Sequence, residues 1–155
     1  MKLSAYDLRH SESFQTFEFV SLGTRGNINK TIQFQTTSLP NVYNLAFGDI
    51  NKRTGTIDDT IVSNNGDSLK ILATIAQSVY LFTSLYPEAW VFATGTTHSR
   101  NRLYRMGISA HLHYIIIDFE IFGERNDTWE PFSNNRDYSG FLLKRKFPNK
   151  NSLNL

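Results

Sequence analysis

Gly95, Thr96, Thr97 and Ser99 stand directly ahead of three arginines, Arg100, Arg102 and Arg105, and residues 93–108 contain no acidic side chain. Small residues at a helix start allow close approach, the first backbone N–H groups point outward, and the helix dipole favours negative charge there. Guanidinium groups add forked donors matched to phosphate oxygens. That chemistry is anion binding. On a helical wheel Arg102 and Arg105 lie about 60° apart while Arg100 falls on another side, so Arg102 and Arg105 are the pair expected to share a ligand. Two other uses of the same residues stay open: internal ion pairs with Asp118, Glu120, Glu124, Asp127 or Glu130, and contact with another protein.

A second basic cluster, Lys144, Arg145, Lys146 and then Lys150, is flanked by Phe141 and Phe147. Basic residues interleaved with aromatics suit a strand that holds phosphates and stacks bases, and lysines equally protect an exposed sheet edge. The two clusters form one surface only if this strand lies near the helix start.

His98 is placed to act as a general base or phosphate donor, which keeps a small phosphotransfer or phosphodiester-cleaving enzyme as an alternative; an exposed capping-region histidine is the plainer reading. His111 and His113 share a face on a strand but diverge on a helix, so no metal site is expected. No cofactor is expected either. The chain lacks G-x-x-x-x-G-K-[ST], G-x-G-x-x-G and G-x-S-x-G, and it has no cysteine, which removes thiol nucleophiles and disulfides. Asp58 and Asp59 are neighbours in an expected strand and point to opposite faces.

These residues need a scaffold. Period-two apolar spacing in residues 14–20 and 30–37 predicts a hairpin with a loose loop over "SLGTRGNIN", and residues 41–50 with "TIDDTIVS", carrying Ile57 and Ile61, predict a second. From Asp67 the period changes, and Leu69, Leu72, Ile75, Ala76, Val79 and Phe82 predict a helix to Leu85 after the turn and cap residues Asn65, Gly66 and Asp67. "EAWVFATGT" reads as a buried strand. Thr97 or Ser99 then caps a second helix to about Asp118 with the stripe Leu103, Met106, Ala110, Tyr114 and Ile117, strand being the competitor for residues 111–122. Ile108, Leu112 and Ile115 form a second apolar stripe on that helix, suited to burial between layers or to a homo-oligomer or protein-partner contact. A strand around Gly140 to Phe147 closes the fold. The expected class is α+β: an antiparallel sheet of two N-terminal hairpins with a crossing helix, then strand-helix-strand, as one domain over residues 1–148 with a frayed tail at 149–155.

The length, 155 residues, suffices for one core, and 40% hydrophobic with 14% aromatic residues is globular in character. A net charge of +2 neither demands nor excludes nucleic acid. No leader peptide or membrane span is expected, and a cytoplasmic location is the simplest reading.

"TGTTHSRNRLYRMGI", with "FEIFG" and "FLLKRKF", resembles a family of small bacterial proteins, common in Bacteroidetes, known only as a domain of unknown function. The resemblance spans nearly the whole chain and rests on Gly95, Thr96, Arg100, Arg102, Leu103, Tyr104 and Arg105; His98 and Asn101 fall where it fixes no residue. It implies importance for the segment and no particular activity. The residues themselves point to a non-catalytic protein binding nucleic acid or another phosphate-bearing ligand, with a protein-interaction module of the bacterial defence or toxin–antitoxin kind as the alternative.

Overall fold

The computed structural model describes residues 4–51, 53–58, 65–95 and 97–146. In chain order the elements are β1 (Arg9–His10), β2 (Thr16–Gly23), β3 (Gly26–Thr36), β4 (Val42–Ile50), β5 (Ile57–Asp58), α1 (Ser68–Leu85), β6 (Trp90–Ala93), α2 (His98–Ala110), α3 (Leu112–Asp118), β7 (Phe119–Arg125), β8 (Thr128–Pro131) and β9 (Gly140–Arg145). All strands join one sheet in the order β1-β2-β3-β4-β6-β9-β7-β8, with β5 on the end of β4. Every pairing is antiparallel except β4 with β6. The class is α+β with a mixed, mostly antiparallel sheet.

Alternate residues decide which face is buried. Phe17, Phe19, Ile32, Phe34, Leu45, Phe47, Val91, Phe119 and Phe141 point to one side and form the core. Phe82 of α1 lies flat on Phe34, with ring centroids 4.2 Å apart, and Tyr104 of α2 meets Phe141 edge-on at 6.5 Å. Among the described residues the opposite face carries no helix. There Trp90 contacts Phe122 and Phe92 contacts Trp129.

Several expectations change in detail. The "SLGTRGNIN" loop is largely strand, because β2 and β3 stay paired up to Gly23 and Gly26 around a turn at Thr24 and Arg25. Asn65 holds that turn: its side chain donates to Ser21 Oγ and Gly26 O, both at 3.0 Å, and accepts from Arg25 N at 2.6 Å. A Cβ on Gly23 would lie 1.9 Å from Asn65 O, so only glycine fits there. Asp67 stands at the start of α1 without a side-chain cap bond. Its carboxylate instead accepts from Ser21 and from the Tyr6 hydroxyl at 2.5 Å.

The inward face of α1 is Ile71, Thr74, Ile75, Ser78, Val79 and Phe82, and Leu69 is exposed. Thr74, Ser78 and Thr83 are buried because each hydroxyl returns to a carbonyl three or four residues back. By length and a mean hydropathy of 1.2, α1 is apolar enough to cross a membrane, as core helices of soluble proteins also are; here it packs on the sheet.

The second helix breaks at His111 into α2 and α3. Its expected inward stripe faces outward instead: Met106 is 52% and Ile117 68% exposed, while Tyr104 and Ile115 are buried. Gly107 explains the rotation, since a Cβ there would sit 2.9 Å from Leu72 Cδ2 of α1. Close helix approach turns the glycine side inward. Both readings of residues 111–122 hold in part, helix to Asp118 and strand from Phe119. The β7–β8 hairpin was not expected; Asn126 and Asp127 turn it with φ of 50° and 63°, the backbone a two-residue type I′ turn requires. Ile61, Asp59, Phe147, Lys150 and the 149–155 tail lie outside the described residues.

Truncating Asn65 leaves several buried backbone partners unsatisfied. Asn65→Ala is expected to lower unfolding free energy by about 2–3 kcal/mol in urea titration. Burial, and then the Asp67 carboxylate, raise the pKa of the Tyr6 hydroxyl above its ordinary value of 10.0. The stability this contributes is fully present below pH 10.0 and is lost as the pH climbs through the raised value. Tyr6→Phe should therefore flatten the alkaline limb of a stability–pH profile.

Candidate functional site

β6 ends at Ala93, and the chain turns through Gly95 into α2. Thr97 is the N-cap, its hydroxyl accepting from Arg100 N at 3.2 Å. Asn101 reaches back so that its Oδ1 accepts from Gly95 N at 2.6 Å. A Cβ on Gly95 would lie 2.5 Å from Arg100 Cβ. The glycine is thus explained by the loop folding onto its own helix, with no ligand required. Thr96 lies outside the described residues.

The three arginines part company. Arg100 turns inward, donates to Phe47 O, and holds its guanidinium 4.9 Å from the Phe47 ring centre. It is a strut between α2 and β4. Arg105 pairs with Asp137 at 2.6 Å, an acid outside the set expected from sequence. Asp137 is 93% exposed on its side chain, and ion pairs this open are worth roughly 0.2–1 kcal/mol, so a stronger anion can displace it. Arg102 is exposed with no partner among the described residues.

His98, Ser99, Asn101, Arg102 and Arg105 line one side of a groove of about 360 Å³, closed by Asp137 and Tyr138. Among the described residues no protein acceptor takes the His98 and Ser99 amides. Donors therefore face the groove from the helix start, from the exposed Arg102 and from the half-buried Arg105, which is paired with Asp137. The groove lies past the carboxyl end of β6, whose last residue, Ala93, pairs with Leu45 in the middle of β4. His98 is exposed, and none of the described carboxylates or hydroxyls orients its ring.

The second basic cluster does not join this site. β9 is an interior strand between β6 and β7, so its lysines guard no edge. Strand alternation sends Lys144 to the uncovered face, 5.5 Å from the Trp90 ring centre. Arg145 points the other way, donating to Thr83 Oγ1 at 2.9 Å and Tyr80 O at 3.0 Å. Lys146 donates to Ile116 O. Lys144 also pairs with Trp90, the end of β6 remote from Gly95. Phe141, expected to flank a binding strand, is fully buried.

The stripe expected to bind a partner is likewise internal: Ile115 is buried, and Ile108 and Leu112 pack against the core. No group of three or more potential metal ligands occurs among the described residues. Sequence reasoning missed Asp137 and Phe47, which are remote in the chain and signalled by nothing local. Asn101 had a weaker signal, as a polar side chain in the first helical turn able to bond backward.

The family profile described as "Family of unknown function (DUF6934)" matches residues 2–146. No curated protein and no solved structure matches.

The geometry separates two arginines that look alike in sequence. Arg100→Ala is expected to cost about 2 kcal/mol of stability and Arg102→Ala less than about 0.5 kcal/mol, read by urea denaturation.

Proposed function

We propose that this chain, which belongs to the DUF6934 family, binds a phosphate-bearing ligand in the groove at the start of α2. The supporting observation is the exposed Arg102, without a partner among the described residues, beside the outward amides of His98 and Ser99. Arg102 takes one phosphate oxygen, Arg105 exchanges Asp137 for another, and the helix start holds the remaining charge. Nucleic acid fits as the polymeric form of this ligand. Because Arg100, Arg145 and Lys146 are engaged internally, the reading allows contact with only one or two phosphates.

Fluorescence anisotropy with labelled single-stranded DNA, single-stranded RNA and duplex DNA tests this. The log–log salt slope is expected between about −1 and −2, falling by roughly one unit per lost phosphate contact in Arg102→Ala/Arg105→Ala. Inorganic pyrophosphate competes if the phosphate group alone is recognised. Unchanged binding by the folded double variant refutes the reading.

A protein-interaction role is the second reading. Its support is the apolar surface of Tyr114, Ile116 and Ile117 on α3, which replaces the internal stripe expected from sequence. If this surface self-associates, sedimentation shows a concentration-dependent dimer that Ile117→Glu returns to monomer. A monomer at every concentration removes self-association.

A further inference from the structure

Between α1, the α2–α3 joint and the sheet lies a cavity of about 90 Å³. Its walls are Leu45, Ile75, Val79, Val91, Tyr104 and Phe119, with small side chains at Ala76 and Ala93 leaving the space between them. An engineered apolar cavity of roughly 150 Å³ stays dry and binds benzene or xenon. At about three-fifths of that volume this one admits an apolar group of about four or five carbons.

Three lining residues, Tyr80, Tyr104 and His111, have polar side-chain atoms, and the Tyr80 hydroxyl donates to Asp118. His111 lines the cavity where the helix breaks, is half-buried, and its side chain has no hydrogen-bond partner among the described residues. Leu72 and Ala76 of α1, also half-buried, line the cavity across from α2 and carry it towards the surface along the helix seam. An imidazole both donates and accepts. The site thus offers a largely apolar pocket with an imidazole, unpaired among the described residues, in its lining.

We propose that this cavity binds a short-chain amphiphile, an alkyl group of about four or five carbons in the pocket with a carboxylate or hydroxyl head on His111. The site is separate from the phosphate groove, so either can fail without the other. Amphiphiles fit better than pure hydrocarbons because they also satisfy the imidazole, which a hydrocarbon would desolvate without recompense.

The experiment is an amide NMR titration of the full chain with pentanoate, 1-pentanol and xenon. Saturable shifts centred on Leu72, Ala76, Gly107, Ile108, His111 and Ile115 are expected with all three probes. Ala76→Leu fills the pocket and should abolish them while leaving the melting temperature equal or higher; Ala93→Val narrows the same space from the sheet side should that variant not fold. His111→Ala should weaken pentanoate and pentanol about tenfold and leave xenon unchanged. Pentanoate shifts that survive both filling variants, or the absence of any xenon response at these amides, overturn the proposal. Equal weakening of all three probes by His111→Ala overturns the anchor, and pentanol binding without pentanoate binding assigns the head to a hydroxyl.

Discussion

The parallel pairing of β4 with β6 is the constraint on which the rest of the molecule depends. Two parallel strands cannot be joined by a hairpin; the chain must cross over one face of the sheet, and α1 is that crossover. Its position commits one sheet face to the core. Phe34, Leu45 and Phe82 then pack together, and α2 must lie on the same face beside α1 to cover what remains. Gly107 makes that second layer close enough to pack, because Leu72 occupies the space its side chain would need.

The same crossover sets where chemistry is available. It delivers β6 to the middle of the sheet pointing the same way as β4, so the turn after Ala93 opens at the carboxyl end of β6, opposite Leu45 of β4, and α2 begins there with its positive dipole end outward. Gly95, Thr97 and Asn101 are occupied in shaping that turn. His98, Ser99, Arg102 and Arg105, further along the helix start, line the groove. Charge at this position is cheap to hold because solvent screens it, which is also why the Arg105–Asp137 pair is weak enough to yield.

Buried polarity follows a different logic. Lys30 and Asp49 pair across β3 and β4 with side-chain exposures of 4% and 15%, and Asn65 and Tyr6 tie the first hairpin to the entrance of α1. Each such group is enclosed with a partner, as burial of polar atoms demands. These contacts fix the register of β2, β3 and β4, and so the platform on which Arg100 rests against Phe47.

Local pattern alone determined much here. Period two in β2, β3 and β4, the switch to helical spacing after Asp67, the Gly95 turn and the Thr97 cap are each set by a few neighbouring residues, and each was legible because backbone periodicity and capping are short-range effects. The start of a helix just after the small-residue turn was legible for the same reason. Which of two apolar stripes on α2 and α3 faces inward, whether β9 lies at an edge or in the interior, and which arginine meets water were decided by tertiary structure. Those outcomes depend on residues far away in the chain: Leu72 against Gly107, Phe47 under Arg100, Asp137 beside Arg105, and Trp90 and Thr83 drawing Lys144 and Arg145 to opposite faces. A linear pattern says that a side chain is charged or apolar; only packing in three dimensions says what stands next to it.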